Sequence, residues 1–155
     1  MMIKLKLTLV IFLFCACEVN AQRRDGDKIY WVALEKYTKE LKTGYPSIIE
    51  KTIYLQKPDY IDSIPALIGG CNIVLITASN QKKLYREHHN KLIHTIIFPA
   101  TITDSIVSIT ITPYRGALKG SRHYNLGVSD GTTVYFKYDC EKKQFIYSNT
   151  KNWGI

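Results

Sequence analysis

The chain has 155 residues, 46% of them hydrophobic and 22% charged, and 21 Lys and Arg against 13 Asp and Glu give a formal net charge of +8. That length suits one domain with a real core and is too short for two. The basic residues are dispersed, with Arg23-Arg24, Lys82-Lys83 and Lys142-Lys143 as the adjacent pairs, and no nucleic-acid-binding motif accompanies them, so nucleic acid is not the expected partner.

Lys4 and Lys6 precede an apolar run from Leu7 to Ala16 that Thr8 alone interrupts, which is the pattern of a secretory signal. The run falls short of the roughly 20 apolar residues that a membrane-spanning helix needs, and no second run follows. Val19-Asn20-Ala21 places cleavage after Ala21, which divides the chain into a signal peptide, residues 1–21, and a single domain, residues 22–155. Loss of Lys4, Lys6 and Glu18 with the leader leaves 19 basic and 12 acidic residues, a net charge of +7. Phe14-Cys15-Ala16-Cys17 offers a rival cut, at which Cys17 would be lipidated and anchor the protein to the outer envelope. The expected location is therefore periplasmic or secreted, with a lipoprotein as the alternative. An unknown protein or an anionic envelope component is the expected partner of a basic exported chain.

Residues 25–43 predict the principal helix, with Asp25 or Asp27 capping its start and Tyr30, Ala33, Leu34, Tyr37 and Leu41 on one face. Gly44 and Pro46 stop it. Residues 51–56 alternate as a short strand, and residues 59–68 suggest a short helix or turn closed by Gly69-Gly70. Ile73-Val74-Leu75-Ile76 predicts a strand buried on both faces. A helix capped by Ser79 or Asn80 should run to about Asn90, and strand character resumes from Leu92. Residues 105–149 then alternate as a four-stranded meander, with Asp130-Gly131 as a tight hairpin and a basic loop around Arg115-Gly116 and Lys119-Gly120. The order predicts an α+β domain: an N-terminal helix and two shorter ones on one face of a curved, mostly antiparallel sheet that ends in a β-meander. By analogy of element order alone, that arrangement resembles an NTF2-like or cystatin-like fold.

Cys71 and Cys140 survive maturation and form a disulfide candidate outside the cytoplasm, the alternative being two separate buried thiols. Glu87-His88-His89 and His94 form the densest polar cluster. His88 and His89 would point about 100° apart on a helix, so they do not share a metal, and the spacing is not that of a zincin. No metal or cofactor is therefore expected, with a His88 and His94 pair as the weak alternative. Ser129, Asp130 and His123 have the residue types of a hydrolase without its strand-to-helix elbow. Tyr135, Tyr138, Tyr147 and Trp153 in the last strands and tail form the candidate binding surface, since aromatic side chains offer contact area at little rotamer cost. The terminal Trp153-Gly154-Ile155 is expected to dock. Two functions follow. The first is a small exported non-enzymatic module that binds a macromolecule, such as a periplasmic immunity or inhibitor protein or an envelope accessory protein. The second is a small secreted hydrolase or metal-dependent enzyme built on the His88, His89 and His94 region, so enzyme status stays open.

Overall fold

A computed structural model of the chain describes residues 26–43, 52–121, 123–128 and 130–154. The expected signal peptide, Cys17, Asp25, the expected stop at Gly44 and Pro46, and Ser129 lie outside the described residues. Of the described residues, 54% are strand and 21% helical.

Helix α1 spans residues 26–43 and helix α2 spans Gln81–Glu87. The strands are β1 Thr52–Gln56, β2 Leu67–Ile68, β3 Cys71–Ile76, β4 Lys91–Ile97, β5 Thr101–Thr103, β6 Ile106–Lys119, β7 His123–Val128, β8 Asp130–Asp139 and β9 Gln144–Gly154. All nine join one sheet in the order β2-β3-β1-β4-β6-β8-β9, and β5 and β7 also pair with β6. The first half of the sheet is mixed: β1 runs parallel to both β3 and β4. The second half is antiparallel and organised by the 14-residue β6.

The expected α+β class is overturned, and the NTF2-like or cystatin-like analogy with it. The fold is sheet-dominated, with two helices among the described residues and those two on opposite faces. Residues 59–66 supply turns and bends where a third helix was expected. The reason is local: Gly69 and Gly70, both at positive φ (57° and 77°), form a two-residue hairpin turn between β2 and β3. A Cβ at position 69 would also overlap the Thr38 side chain of α1, so glycine is required there twice over.

The α1 stripe sits where its spacing predicts. Ala33, Leu34 and Tyr37 are buried against Ile53 and Leu55 of β1, Ile73 of β3, Ile97 of β4, the Val107, Ile109 and Ile111 row of β6, and Val134 and Phe136 of β8. Each large apolar side chain in such a core contributes about 1.5–3 kcal/mol. Asp27 accepts a bond from the Ser63 N–H at 3.2 Å, the Trp31 indole donates to Ser63 O at 2.9 Å, and Lys42 Nζ donates to Gly69 O at 2.7 Å. These bonds lash the residues around 63–69 to the helix.

On the other face α2 covers a smaller cluster of Ile76, Tyr85, Leu92 and Leu118. Asn80 does not cap α2. Its side chain accepts from Thr77 N–H at 2.7 Å and donates to Leu75 O at 2.8 Å, which braces the turn from β3 instead. The helix ends at Glu87, earlier than expected, because His89 and Asn90 take left-handed φ values of 54° and 63° and swing the chain straight into β4.

The expected meander is also rearranged. The basic stretch around Arg115 and Lys119 is part of β6 and not a loop. Asp130-Gly131 is not a hairpin turn: β7 and β8 follow one another along the same flank of β6, pairing with Tyr114–Lys119 and Ile106–Ile111 respectively. Gly131 instead seats the Trp153 ring, which a Cβ at that position would overlap.

Candidate functional site

Three places hold the chemistry-bearing residues. The first is the polar centre beneath α2. His94 faces α2 from β4 and is buried, and Tyr85, the one fully buried side chain of α2, reaches it with its hydroxyl 2.9 Å from Nδ1. On the other side of the ring, Nε2 lies 3.1 Å from Gln56 Oε1. An amide oxygen only accepts, so Nε2 carries the proton and Nδ1 accepts from the Tyr85 O–H. Burial lowers the His94 pKa, and the same cause, followed by the neighbouring Tyr124 phenol, pushes that of Tyr85 up to about 12. Both groups therefore stay neutral at pH 7. Gly116 makes room for this pair, since a Cβ there would overlap the Tyr85 hydroxyl.

His88 closes the same side differently, with Nε2 2.7 Å from the Tyr54 hydroxyl and the two rings edge to face at 4.8 Å. Tyr54 and His94 are register partners on β1 and β4, so the chain does return His94 toward His88. The two rings nevertheless turn to different partners. His89 is exposed at the end of α2, and Glu87 pairs with Lys83 at 3.8 Å. Among the described residues no group of three His, Cys, Asp or Glu side chains is placed to hold a metal ion. His123 is exposed at the start of β7.

The second place is a cleft of about 430 Å³ where β1 and β4 part. These strands pair only at Tyr54↔His94 and Leu55↔Thr95, so the opening residues of β4 are left to line the cleft, with Tyr54 and His88 on one side and Arg115–Ala117 of β6 on the other. Sequence reasoning missed this cleft. Its signal was split between two basic residues 24 positions apart that only the β4–β6 register brings together.

The third place is the aromatic end of the sheet. The predicted surface of Tyr135, Tyr138, Tyr147 and Trp153 does not form one face: Tyr135 and Tyr138 lie three apart on β8 and so alternate, and an irregularity in the β8–β9 register between Tyr135 and Phe136 sets Tyr147 and Trp153 on opposite sides. Tyr138, Phe145 and Tyr147 lie on the α1 side, with Tyr138 and Phe145 edge to face at 5.3 Å and Lys36 Nζ 4.2 Å over the Tyr147 ring. Trp153 and Tyr135 lie on the opposite side. Tyr138, Phe145, Tyr147 and Trp153 are all exposed, whereas Tyr135 is half-buried. β9 pairs with β8 alone among the described strands, so its outer edge presents eleven residues of backbone without a strand partner.

Cys71 and Cys140 are not bonded to each other. Cys71 is buried at the start of β3 and Cys140 is exposed in the turn after β8. Four strand-to-strand steps separate their strands, roughly 19 Å at the usual spacing, which no disulfide spans.

No protein-family model, curated protein or solved structure matches the chain. Among the described residues no helix is long and apolar enough to cross a membrane.

Proposed function

We propose that the protein is an exported, non-enzymatic module that captures a macromolecular partner by adding an extended segment of that partner to the open edge of β9, in the manner of an immunity, inhibitor or envelope accessory protein. The observation that carries this reading is the edge itself, an eleven-residue strand paired on one side and flanked by exposed Phe145, Tyr147 and Trp153. An unpaired strand edge is a template for another strand: backbone bonds supply affinity, and side chains to either side supply selectivity. The chemistry beneath α2 favours the same reading. A histidine with one nitrogen bonded to a buried phenol and the other to an amide has no free lone pair with which to activate water.

A photo-crosslinking residue at Lys151, on β9, tests the proposal in cells of the native host, with the same residue at Lys57 as the control. A discrete protein adduct from position 151 and none from 57 is the expected result. Identical adducts from both positions, or none from 151, would remove the β9 edge from consideration. The N-terminal residue of the protein recovered from those cells, Gln22 or an acylated Cys17, reads out the export route.

A further inference from the structure

We infer that the cleft between β1 and β4 binds an organic oxyanion, a phosphate or carboxylate group carried on an apolar body. The register builds the site. Lys91 pairs with Ala117 and Ile93 with Arg115, so these four side chains form one tile on the same face of the sheet, with cations at one diagonal and apolar groups at the other. Diagonal neighbours across an antiparallel pair are about 7–8 Å apart, within reach of one shared anion for side chains as long as Lys and Arg.

Both cations are exposed and neither forms an ion pair with a described residue. Holding two like charges together without an acid between them costs free energy, which a bound anion would offset. The surroundings add positive charge. Lys119 pairs in register with His123 further along the same face. Glu87, the one acidic residue on α2, is engaged by Lys83.

The end of α2 does not oppose an anion as a bare helix C-terminus would. Its carbonyls at Leu84, Tyr85 and Arg86 accept bonds from the N–H groups of His88, His89 and Asn90, and His88 O accepts from Lys91 N–H. His88 and the Tyr54 hydroxyl add polar groups to the rim, while Ile93 and Ala117 give the cleft an apolar wall. Inorganic phosphate alone would leave that wall empty. An oxyanion with an aromatic or alkyl body fits both halves: Arg115 suits a forked contact with two oxygens, and Lys91 supplies a point charge.

The test is a titration of the full mature chain with phenyl phosphate, followed by calorimetry and by amide chemical shifts at Lys91–Ile93 and Arg115–Ala117. Inorganic phosphate and benzyl alcohol serve as half-ligands, and vesicles of phosphatidylglycerol serve as a second source of the same chemistry. Phenyl phosphate should bind at least tenfold more tightly than either half-ligand, with shifts confined to the cleft. The Lys91→Gln, Arg115→Gln double variant should lose that binding at least tenfold, while Lys57→Gln, Lys137→Gln, which removes the same charge elsewhere, should keep it. Vesicle binding that fails in the first variant alone, without phenyl phosphate binding, would assign the same oxyanion site to a lipid headgroup. Binding lost equally in both variants would reduce the effect to net charge and overturn the site, as would no binding of any probe or shifts lying elsewhere.

Discussion

The two faces of the sheet bury different things. Beneath α1 the sheet presents Ile53, Leu55, Ile109, Ile111, Val134 and Phe136, and the contact with Ala33, Leu34 and Tyr37 is mostly apolar, its buried polar groups being few and hydroxylic, with the Tyr37 hydroxyl bonded to Thr95. Beneath α2 the cluster is smaller and is threaded by the Tyr85 hydroxyl, His94 and Gln56. The first arrangement stabilises in proportion to area and tolerates approximate fit. The second contributes little unless every polar atom keeps its partner, because an orphaned buried donor or acceptor costs its full desolvation. A seven-residue helix supplies too little apolar surface to hold its own face otherwise. The same sheet is thus anchored on one side by hydrophobic burial and on the other by a specific polar fit.

The largest effect that would sharpen this contrast is a deletion on the α1 face. Phe136→Ala should destabilise the fold by about 3–5 kcal/mol, from lost transfer energy and the cavity left behind, as read by denaturant unfolding. Leu118→Ala, in the smaller cluster, should cost clearly less. Equal costs for the two would break the contrast. A smaller effect belongs to Gly116→Ala. The added methyl meets the Tyr85 hydroxyl and, behind it, Leu92 O, so it must push Tyr85 off His94 or move two strands. A cost of about 1–3 kcal/mol is expected, relieved in part by adding Tyr85→Phe, which shortens the side chain that the methyl meets. Strict additivity of the two substitutions would show that they do not meet.

The two faces were unequally legible in the sequence. The alternation of Val107, Ile109 and Ile111 and the helical spacing of Ala33, Leu34 and Tyr37 announce the α1 core, because burial there needs only the right period on each element. The continuation of β6 through Pro113 and Arg115-Gly116 was hidden, since proline and glycine normally mark breaks. Pro113 is tolerated because it sits where the flanking partner changes from β8 to β7, with pairing on that flank stopping at Ile111 and resuming at Tyr114. The parallel pairing of β1 with β3 and β4 was hidden too, as it depends on crossovers and not on any pattern within strands of five to seven residues. The cleft suffered most. Lys91 and Arg115 read as dispersed solvated charges until the β4–β6 register sets them on one tile, and a slip of one residue would place them on opposite faces.

The finest test of the polar face is its response to acid. Burial lowers the His94 pKa from its ordinary value of 6.5, so the native state holds the ring neutral while the unfolded chain takes up a proton below about pH 6.5. The unfolded state then binds more protons, and stability falls with pH. The contribution is complete above pH 6.5 and is lost progressively below it, down to the folded-state pKa. Protonation also removes the Nδ1 lone pair that accepts the Tyr85 hydroxyl, so the first structure lost should be α2 and its bond to β4, with the α1 core intact. Amide exchange measured at pH 7 and pH 5 should show protection falling at residues 84–88 and 92–96 before it falls at 107–111 and 134–136. In His94→Gln, which does not titrate, overall stability is lower but the loss between pH 7 and pH 5 is smaller than in the wild type. The exposed histidines at 88, 89 and 123 remain in that variant. A wild-type slope retained there would strip the buried pair of its place in the comparison.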